Sequence, residues 1–587
     1  MEDVIRTAII DALKELGIDP VDFVVEHPNE LSHGDYACNV ALVAVRRDAR
    51  EYNEEPGAIG HANTLKIRSL GQYNSPRDLA ERICSSLQGQ IEYVEKIEVA
   101  GPGFINFYLA RDFFTKEINE AITSGETWGK NDDWQEKTVL VEYTSPNLFK
   151  PLHVGNLVGN IIGESLSRLF VASGATVKRL NYPSDIGLTV AKGVWGLRTT
   201  GGDPSDIKAL GEAYRFGNEA YETDEAKKAE IIAVNQALYA RSDTELNRLR
   251  DLGTETSKTS LLALCASLGT AFDDTIYESE AAPRGVAIVK ENTPSIFNES
   301  DGAVVYEGEK VGLHTRVFLN SKGLPTYEAK DLGNFVIKQE RFPEWTDSIV
   351  VTGNEQTEYF KVIYAAIKEL FSEVEASNKQ LLHIPTGFLT LTTGKMSSRK
   401  GNVLSGEEVL AELEKEAVKR GSSAEQTEGE GTPLVTKVAT AAIKYQILRH
   451  SVGSNIVFDK EKALSFEGDS GPYLQYTVAR INSLVEKAAA VGIAPAMTPA
   501  PETPYEIEKI LYRFPDAVRE ARDEYAPHQL VVYLTELAGM FNTFYGQEKI
   551  ADASDPHAPY KLLLTKAVGQ TLKNGLWLLG IESPAKM

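Results

Sequence analysis

From Lys137 onward, short β-branched runs alternate with amphipathic helices. A strand covered on both faces, followed by a helix able to cover it, is the signature of a parallel sheet. Thr138 to Tyr143 reads as the first strand, and the helix after it carries Leu157, Ile161, Leu166 and Leu169 on one face. Strand Ser348 to Thr352, helix Gln356 to Phe371 and strand Leu382 to Leu391 continue the pattern. The stretch between these halves, Ala191 to Lys322, is mixed and partly helical. It is expected as an insertion splitting the sheet domain.

Residues 1–125 read as a separate small α/β unit. It has an opening helix, strand-like Phe23-Val24-Val25, a helix from Leu79, then Ile91 to Val99 and Phe104 to Tyr108. Periodicity fails from Asp48 to Tyr73, which predicts a surface insertion. Gly421 to Gly431 is poor in apolar residues and is expected to be a mobile loop. Ala494 to Pro504 has four prolines in eleven residues and should be an extended connector. The chain beyond Pro504 is helical, with one apolar stripe through Ile507, Ile510, Leu511 and Phe514. A second runs through Leu530, Leu534, Leu537, Phe541 and Phe544.

The 587 residues suffice for roughly three to five domains, each with its own core. Sixty-one basic against 84 acidic residues leave a net charge of −23, which excludes a bulk coat for nucleic acid but not a local basic track. Cys38, Cys84 and Cys265 are odd in number and never in C-x-x-C spacing, so neither a disulfide framework nor a zinc ribbon is expected, and a reducing cytoplasm is. His33, His314, His383, His450 and His528 lack metal-ligand spacing, so no protein metal site is expected. The first 17 residues mix charge with apolar residues at helical spacing, unlike a signal peptide. No apolar stretch approaches the roughly 18 residues of a membrane span, so no membrane partner is expected.

Two segments could carry chemistry. Ser145 to Asn156 lies between a predicted strand and a predicted helix start, where free N–H groups and the helix dipole favour anions. There His153 and Asn156 add donors and Gly155 permits close approach; a plain βα turn would use the same glycine and asparagine. Thr393 to Asn402 places Lys395, Arg399 and Lys400 with Ser397 and Ser398 on one loop, suited to clamping a polyphosphate. Alone it would read as a solvated basic turn. Both follow strands of one α/β domain, where ligands bind.

His153-Val-Gly-Asn156 resembles the HIGH motif, and Lys395-Met-Ser-Ser-Arg399 the KMSKS motif, of class I aminoacyl-tRNA synthetases. The surrounding text is similar to the arginyl-tRNA synthetase family. The similarity runs through His33 to Asn39, Gly101 to Phe107, Glu142 to Asn156, Tyr327 to Asp331, Gly353 to Gln356, Gly471 to Tyr476 and Leu579 to Met587. It implies a Rossmann-type catalytic domain over 126–404 with an insertion at about 191–322. It also implies an N-terminal tRNA-contacting domain over 1–125, a connecting stem over 405–462, and an all-α anticodon-binding bundle over 463–587.

The resemblance implies ligation of L-arginine to its tRNA through arginyl-adenylate, with ATP as substrate and Mg²⁺ assisting, in a cytoplasmic monomer that needs bound tRNA to activate arginine. It assigns ATP contacts to His153, Gly155, Asn156, Lys395, Met396, Ser397 and Ser398. Ser398 stands where the motif has its second lysine, and Arg399, Lys400 or Lys150 is left to supply that charge. The arginine pocket would comprise Glu142, Asn147, Glu278, Tyr327, Asp331 and Gln356. Three are carboxylates, as a guanidinium with five donors requires. His33 and Asn106 are expected to be structural; Tyr473, Gln475 and Tyr476 either pack a helix start or hold tRNA, and Phe541, Phe544 and Tyr545 sit at core spacing.

Other readings stand beside this one. A class I synthetase for cysteine, glutamine or glutamate is opposed by the acidic pocket and the absence of zinc-ligand cysteines. A non-catalytic tRNA-binding relative is opposed by the presence of His153, Asn156 and Lys395. A HIGH-type nucleotidyltransferase would not need the helices after Ala463. P-loop enzymes lack their G-x-x-x-x-G-K-[ST] here.

Overall fold

A computed structural model describes residues 1–45, 73, 75–150, 152, 154–391, 405–420 and 432–587. His153, Lys395, Met396, Ser397, Ser398, Arg399 and Lys400 lie outside the described residues, as do the expected loop 421–431 and the expected insertion from Asp48 as far as residue 72. The chain divides into two compact units, one of residues 1–128, 484–513 and 540–570, the other of 129–483, 514–539 and 571–587.

In the first unit, strands β1 (Val25–Glu26), β2 (Tyr36–Cys38), β3 (Val94–Ala100) and β4 (Phe104–Leu109) form an antiparallel sheet in the order β1-β2-β4-β3. Helices Glu2–Glu15 and Pro76–Leu87 bury Ile5, Ile9, Leu79 and Ile83 in the same core. Ser75 caps the second helix, accepting from the Asp78 amide at 3.2 Å, with proline at its first position. Buried Glu508 takes the Arg111 guanidinium at 2.5 Å and the Tyr560 hydroxyl at 2.9 Å.

The second unit is built on β5 (Thr138–Glu142), whose Val139, Leu140 and Val141 are fully buried, as a strand covered on both faces requires. It pairs in parallel with β6 (Thr176–Asn181), which pairs with β7 (Asp274–Thr275). Strands β8 (Asn298–Ser300), β9 (Ala303–Tyr306) and β10 (Arg316–Leu319) make a small separate sheet. On the other side of β5 lie β11 (Asp347–Gly353) and β12 (Gln380–Thr386), giving the order β12-β11-β5-β6-β7. Chain order reverses at β5, and in such sheets the crevice beyond that point is where ligands bind.

Two expectations are corrected. The insertion is not one excursion: after helices Leu188–Thr200, Ile207–Thr223, Glu225–Ala240 and Thr244–Ser267 the chain returns to the sheet at β7, then leaves again for β8–β10. Two residues of strand are too few to register as a period. Leu382 to Leu391 is likewise two strands, because at Gly387 the Ser454 carbonyl packs where a Cβ would stand, and β13 (Leu389–Leu391) turns away to pair with β14 (Ile456–Phe458).

Helices Glu278–Glu291 and Tyr327–Arg341 cross in backbone contact. A Cβ on Gly285 would collide with the Ala329 carbonyl, and one on Gly333 with the Ala281 carbonyl. Gly333→Val is expected to lower stability by about 2–3 kcal/mol through overpacking, read as the denaturant midpoint. A midpoint equal to that of the parent chain would refute the close approach.

Candidate active site

Beyond β5 the chain is held in an unusual path. Thr144 and Phe149 are non-glycine residues with φ of 57° and 66°, a conformation that costs about 1–3 kcal/mol each and needs support. The support is visible. The Leu148 amide donates to the Ser184 carbonyl at 3.0 Å, the Ser184 amide to the Pro146 carbonyl at 2.9 Å, and the Phe149 amide to Ser257 Oγ at 3.1 Å. The fully buried Phe149 ring fills the space that side chains would occupy at Gly193 and Gly253. The loop so fixed presents Asn147 and Lys150 to a cavity of about 630 Å³ that Lys208, Arg215 and Ser405 also line. Burial lowers the Lys150 ammonium below the usual lysine range. Gly155 and Asn156 occupy the first turn of helix Val154–Ala172, and both are half-buried.

Three carboxyl groups gather near the carboxyl end of β5. Glu142, the last residue of β5, accepts from Lys338 Nζ at 2.6 Å and Asn334 Nδ2 at 2.8 Å. Glu278 accepts from Lys330 Nζ at 2.5 Å and Ser184 Oγ at 2.7 Å. Since the Asn147 backbone bridges to Ser184, this places the Asn147 loop beside Glu278. Asp331 accepts from the Tyr359 hydroxyl at 2.6 Å.

Burial pushes the Asp331 carboxyl up to about 8, opposed by the Tyr359 hydrogen bond and reinforced by the charges of Glu142 and Glu278. The Tyr182 phenol is raised well above its ordinary value by burial, by the same three carboxylates and by Asp185. Tyr182 OH, Tyr364 OH and Asn334 Oδ1 are buried without a hydrogen-bond partner among the described residues. Buried polar atoms are seldom left so, and their gathering at one carboxylate cluster marks a place for a polar ligand.

Of the expected arginine pocket, Glu142, Glu278 and Asp331 come together. Tyr327 is 58% exposed, its ring 5.0 Å from the Lys330 ammonium. Gln356 is half-buried on the turn after β11. Sequence reasoning misses Lys330, Asn334, Lys338, Tyr182 and Tyr359. One signal is there: Asn334 and Lys338 continue the face of Tyr327 and Asp331 at helical spacing, and both are buried.

The family description "tRNA synthetases class I (R), catalytic domain" matches residues 117–460, more than half of the chain. The chain belongs to the arginyl-tRNA synthetase family of class I. The arginyl-tRNA synthetase N-terminal domain matches 3–109, and the DALR anticodon binding domain matches 474–587. An arginine–tRNA ligase of Borreliella burgdorferi is 29% identical over 533 residues, covering 87% of this chain and 89% of that one. One from Lactococcus lactis is 27% identical, covering 99% and 98%. The Thermus thermophilus arginyl-tRNA synthetase structure aligns over all of both chains with a TM-score of 0.78 at 26% identity. That of Plasmodium falciparum shares the fold at a TM-score of 0.75 and 21% identity, over 100% of this chain and 98% of that one.

Other residues of the similar segments in this arginyl-tRNA synthetase family member differ in burial. Asn106 is buried in β4, whereas His33 is exposed, 3.8 Å from Glu30. Gln475 is fully buried and donates to the Lys437 and Glu582 carbonyls at 3.2 and 2.7 Å, while Tyr476 is exposed. Phe541 and Phe544 are core residues and Tyr545 is exposed. The three cysteine thiols are buried and pushed up to about 12. No helix among the described residues is long and apolar enough to cross a membrane.

The Asp331 carboxyl predicts a pH effect on stability. Its value is 3.8 ordinarily and about 8 in the fold, so between these the native state holds a proton that the unfolded state has lost. Stability should therefore fall as pH rises through that window. Asp331→Asn is expected to flatten this fall in denaturation series from about pH 4 to pH 8. An unchanged slope would place the titration elsewhere.

Proposed function

We propose that the chain ligates L-arginine to its cognate tRNA in two steps. The arginine carboxylate attacks the α-phosphorus of ATP and pyrophosphate leaves; a ribose hydroxyl at the tRNA 3′ end then attacks the acyl carbon and AMP leaves. Neither step needs an enzyme nucleophile, so the protein's work is alignment and stabilisation of charge on the phosphates. The observation that carries the arginine reading is the cluster of Glu142, Glu278 and Asp331 beside unpartnered buried polar atoms at the switch point of the sheet. A site built on acceptors rejects a side chain lacking the matching donors, because those acceptors would be left unpaired.

In this proposal Glu142, Asn147, Glu278, Tyr327, Asp331 and Gln356 hold arginine. Gly155, Asn156 and His153 meet ATP at the helix start. Lys395, Met396, Ser397 and Ser398 close over the phosphates, with Arg399, Lys400 or Lys150 supplying the second charge. Mg²⁺ would arrive on the phosphates of ATP. Residues 1–125 would touch tRNA, 126–404 activate arginine, 405–462 connect, and 463–587 meet the anticodon. Three buried thiols suit a reducing cytoplasm, and the protein would act there as a monomer, with no membrane partner.

Pyrophosphate exchange into ATP, run with each amino acid with and without tRNA, is expected to respond to arginine alone and only with tRNA. Exchange with another amino acid would overturn the pocket. Lys395→Ala should slow adenylate formation by about 10²-fold or more at nearly unchanged arginine affinity, as loss of a contact made in the transition state requires. A matching loss of arginine affinity would move Lys395 out of the phosphate clamp.

A further inference from the structure

Buried carboxylates in the second unit each have a cation. Glu142 has Lys338, Glu278 has Lys330, Glu164 has Arg168 and Arg179, Asp185 has Arg250, and Asp347 has Lys137. Asp331, half-buried beside two of them, departs from this pattern. Among the described residues it has no ion partner, and its hydrogen bond comes from the neutral Tyr359 hydroxyl. The groups around it are Glu142 from β5, Tyr182 after β6, Glu278 from helix Glu278–Glu291, and Tyr359 and Tyr364 from helix Thr357–Leu370. Its own helix adds Tyr327, Lys330, Asn334 and Lys338.

We propose that Lys330 and Lys338 are positioning residues that set the charge of the pocket. By neutralising Glu278 and Glu142 they leave Asp331 as the member of the three without an ion pair among the described residues. An entering guanidinium takes that place and drives one proton from Asp331 into solvent. This rests on the pocket being the arginine site.

The charges balance. Three carboxylates and two lysines leave a single negative charge, and in the free protein that charge is removed by a proton on Asp331, whose carboxyl burial holds at about 8. Desolvation of the half-buried carboxyl and the charges of Glu142 and Glu278 favour this, against the opposing pull of the Tyr359 hydrogen bond and of Lys338. On binding, the guanidinium brings one positive charge, Asp331 becomes carboxylate, and the proton passes to buffer. A neutral side chain of the same shape brings no charge to displace the proton. The lysines thus make the pocket selective for a side chain of charge one.

The test is calorimetric titration of L-arginine into the full chain with arginine tRNA bound, in buffers of different ionisation enthalpy at about pH 7. The wild-type chain is expected to release nearly one proton per arginine and Asp331→Asn none. By the same linkage, wild-type affinity should rise about tenfold per pH unit between about pH 6 and pH 7, while the variant stays flat. Asp331→Asn combined with Lys338→Met, which makes Glu142 the carboxyl without a cation, should restore a release of nearly one; if it does not fold, Asp331→Asn decides alone. Proton-free binding by the wild type that is still weakened in Asp331→Asn would overturn the coupling and keep the pocket. Unchanged affinity and release in Asp331→Asn would overturn both, and absence of proton release in a folded Asp331→Asn/Lys338→Met variant would remove the lysine's role in setting charge.

Discussion

Glu142 at the end of β5 and Glu278 at the start of helix Glu278–Glu291 are buried in ion pairs, because a single helix delivers Lys338 and Lys330 to them. Removing either lysine would strand a buried charge, which costs more than the pair itself contributes. The pairs therefore fix where helix Tyr327–Arg341 can lie. Gly285 and Gly333 let that helix approach helix Glu278–Glu291 to backbone contact, and the ion pairs and the glycines specify the same geometry from two directions.

The loop beyond β5 depends on a second set of constraints. Thr144 and Phe149 hold left-handed backbone, and the hydrogen bonds to Ser184 and Ser257 and the glycine-lined slot for the Phe149 ring keep them there. Ser184 also donates to Glu278. The strained loop and the acidic cluster thus share a residue, so a displacement of one is felt by the other. Such rigidity suits adenylate formation, in which alignment of two substrates is most of the protein's contribution.

Much of this was legible in one dimension. The β5 strand and the helix after it follow from hydrophobic period. The breaks came where a feature was too short or too distant to leave a period. β7 is two residues, and the division of Leu382 to Leu391 is imposed by Ser454, far along the chain. The likeness to the arginyl-tRNA synthetase family pointed to Glu142, Glu278 and Asp331 but was silent about their counterions. Lys330 and Lys338 look in sequence like ordinary solvated helix charges.

By itself the sequence determined the parallel-sheet class and the division of strands and helices around β5, and it held the donors and cations of the two loop motifs. These depend on local periodicity and on side-chain chemistry, both written residue by residue. Tertiary structure alone decided which carboxylates are neutralised within the protein and which is not. Ionisation depends on desolvation and on charges within a few ångströms, and those neighbours come from segments distant in the chain. Glu142 is 196 residues from Lys338 by number and 2.6 Å from it in space.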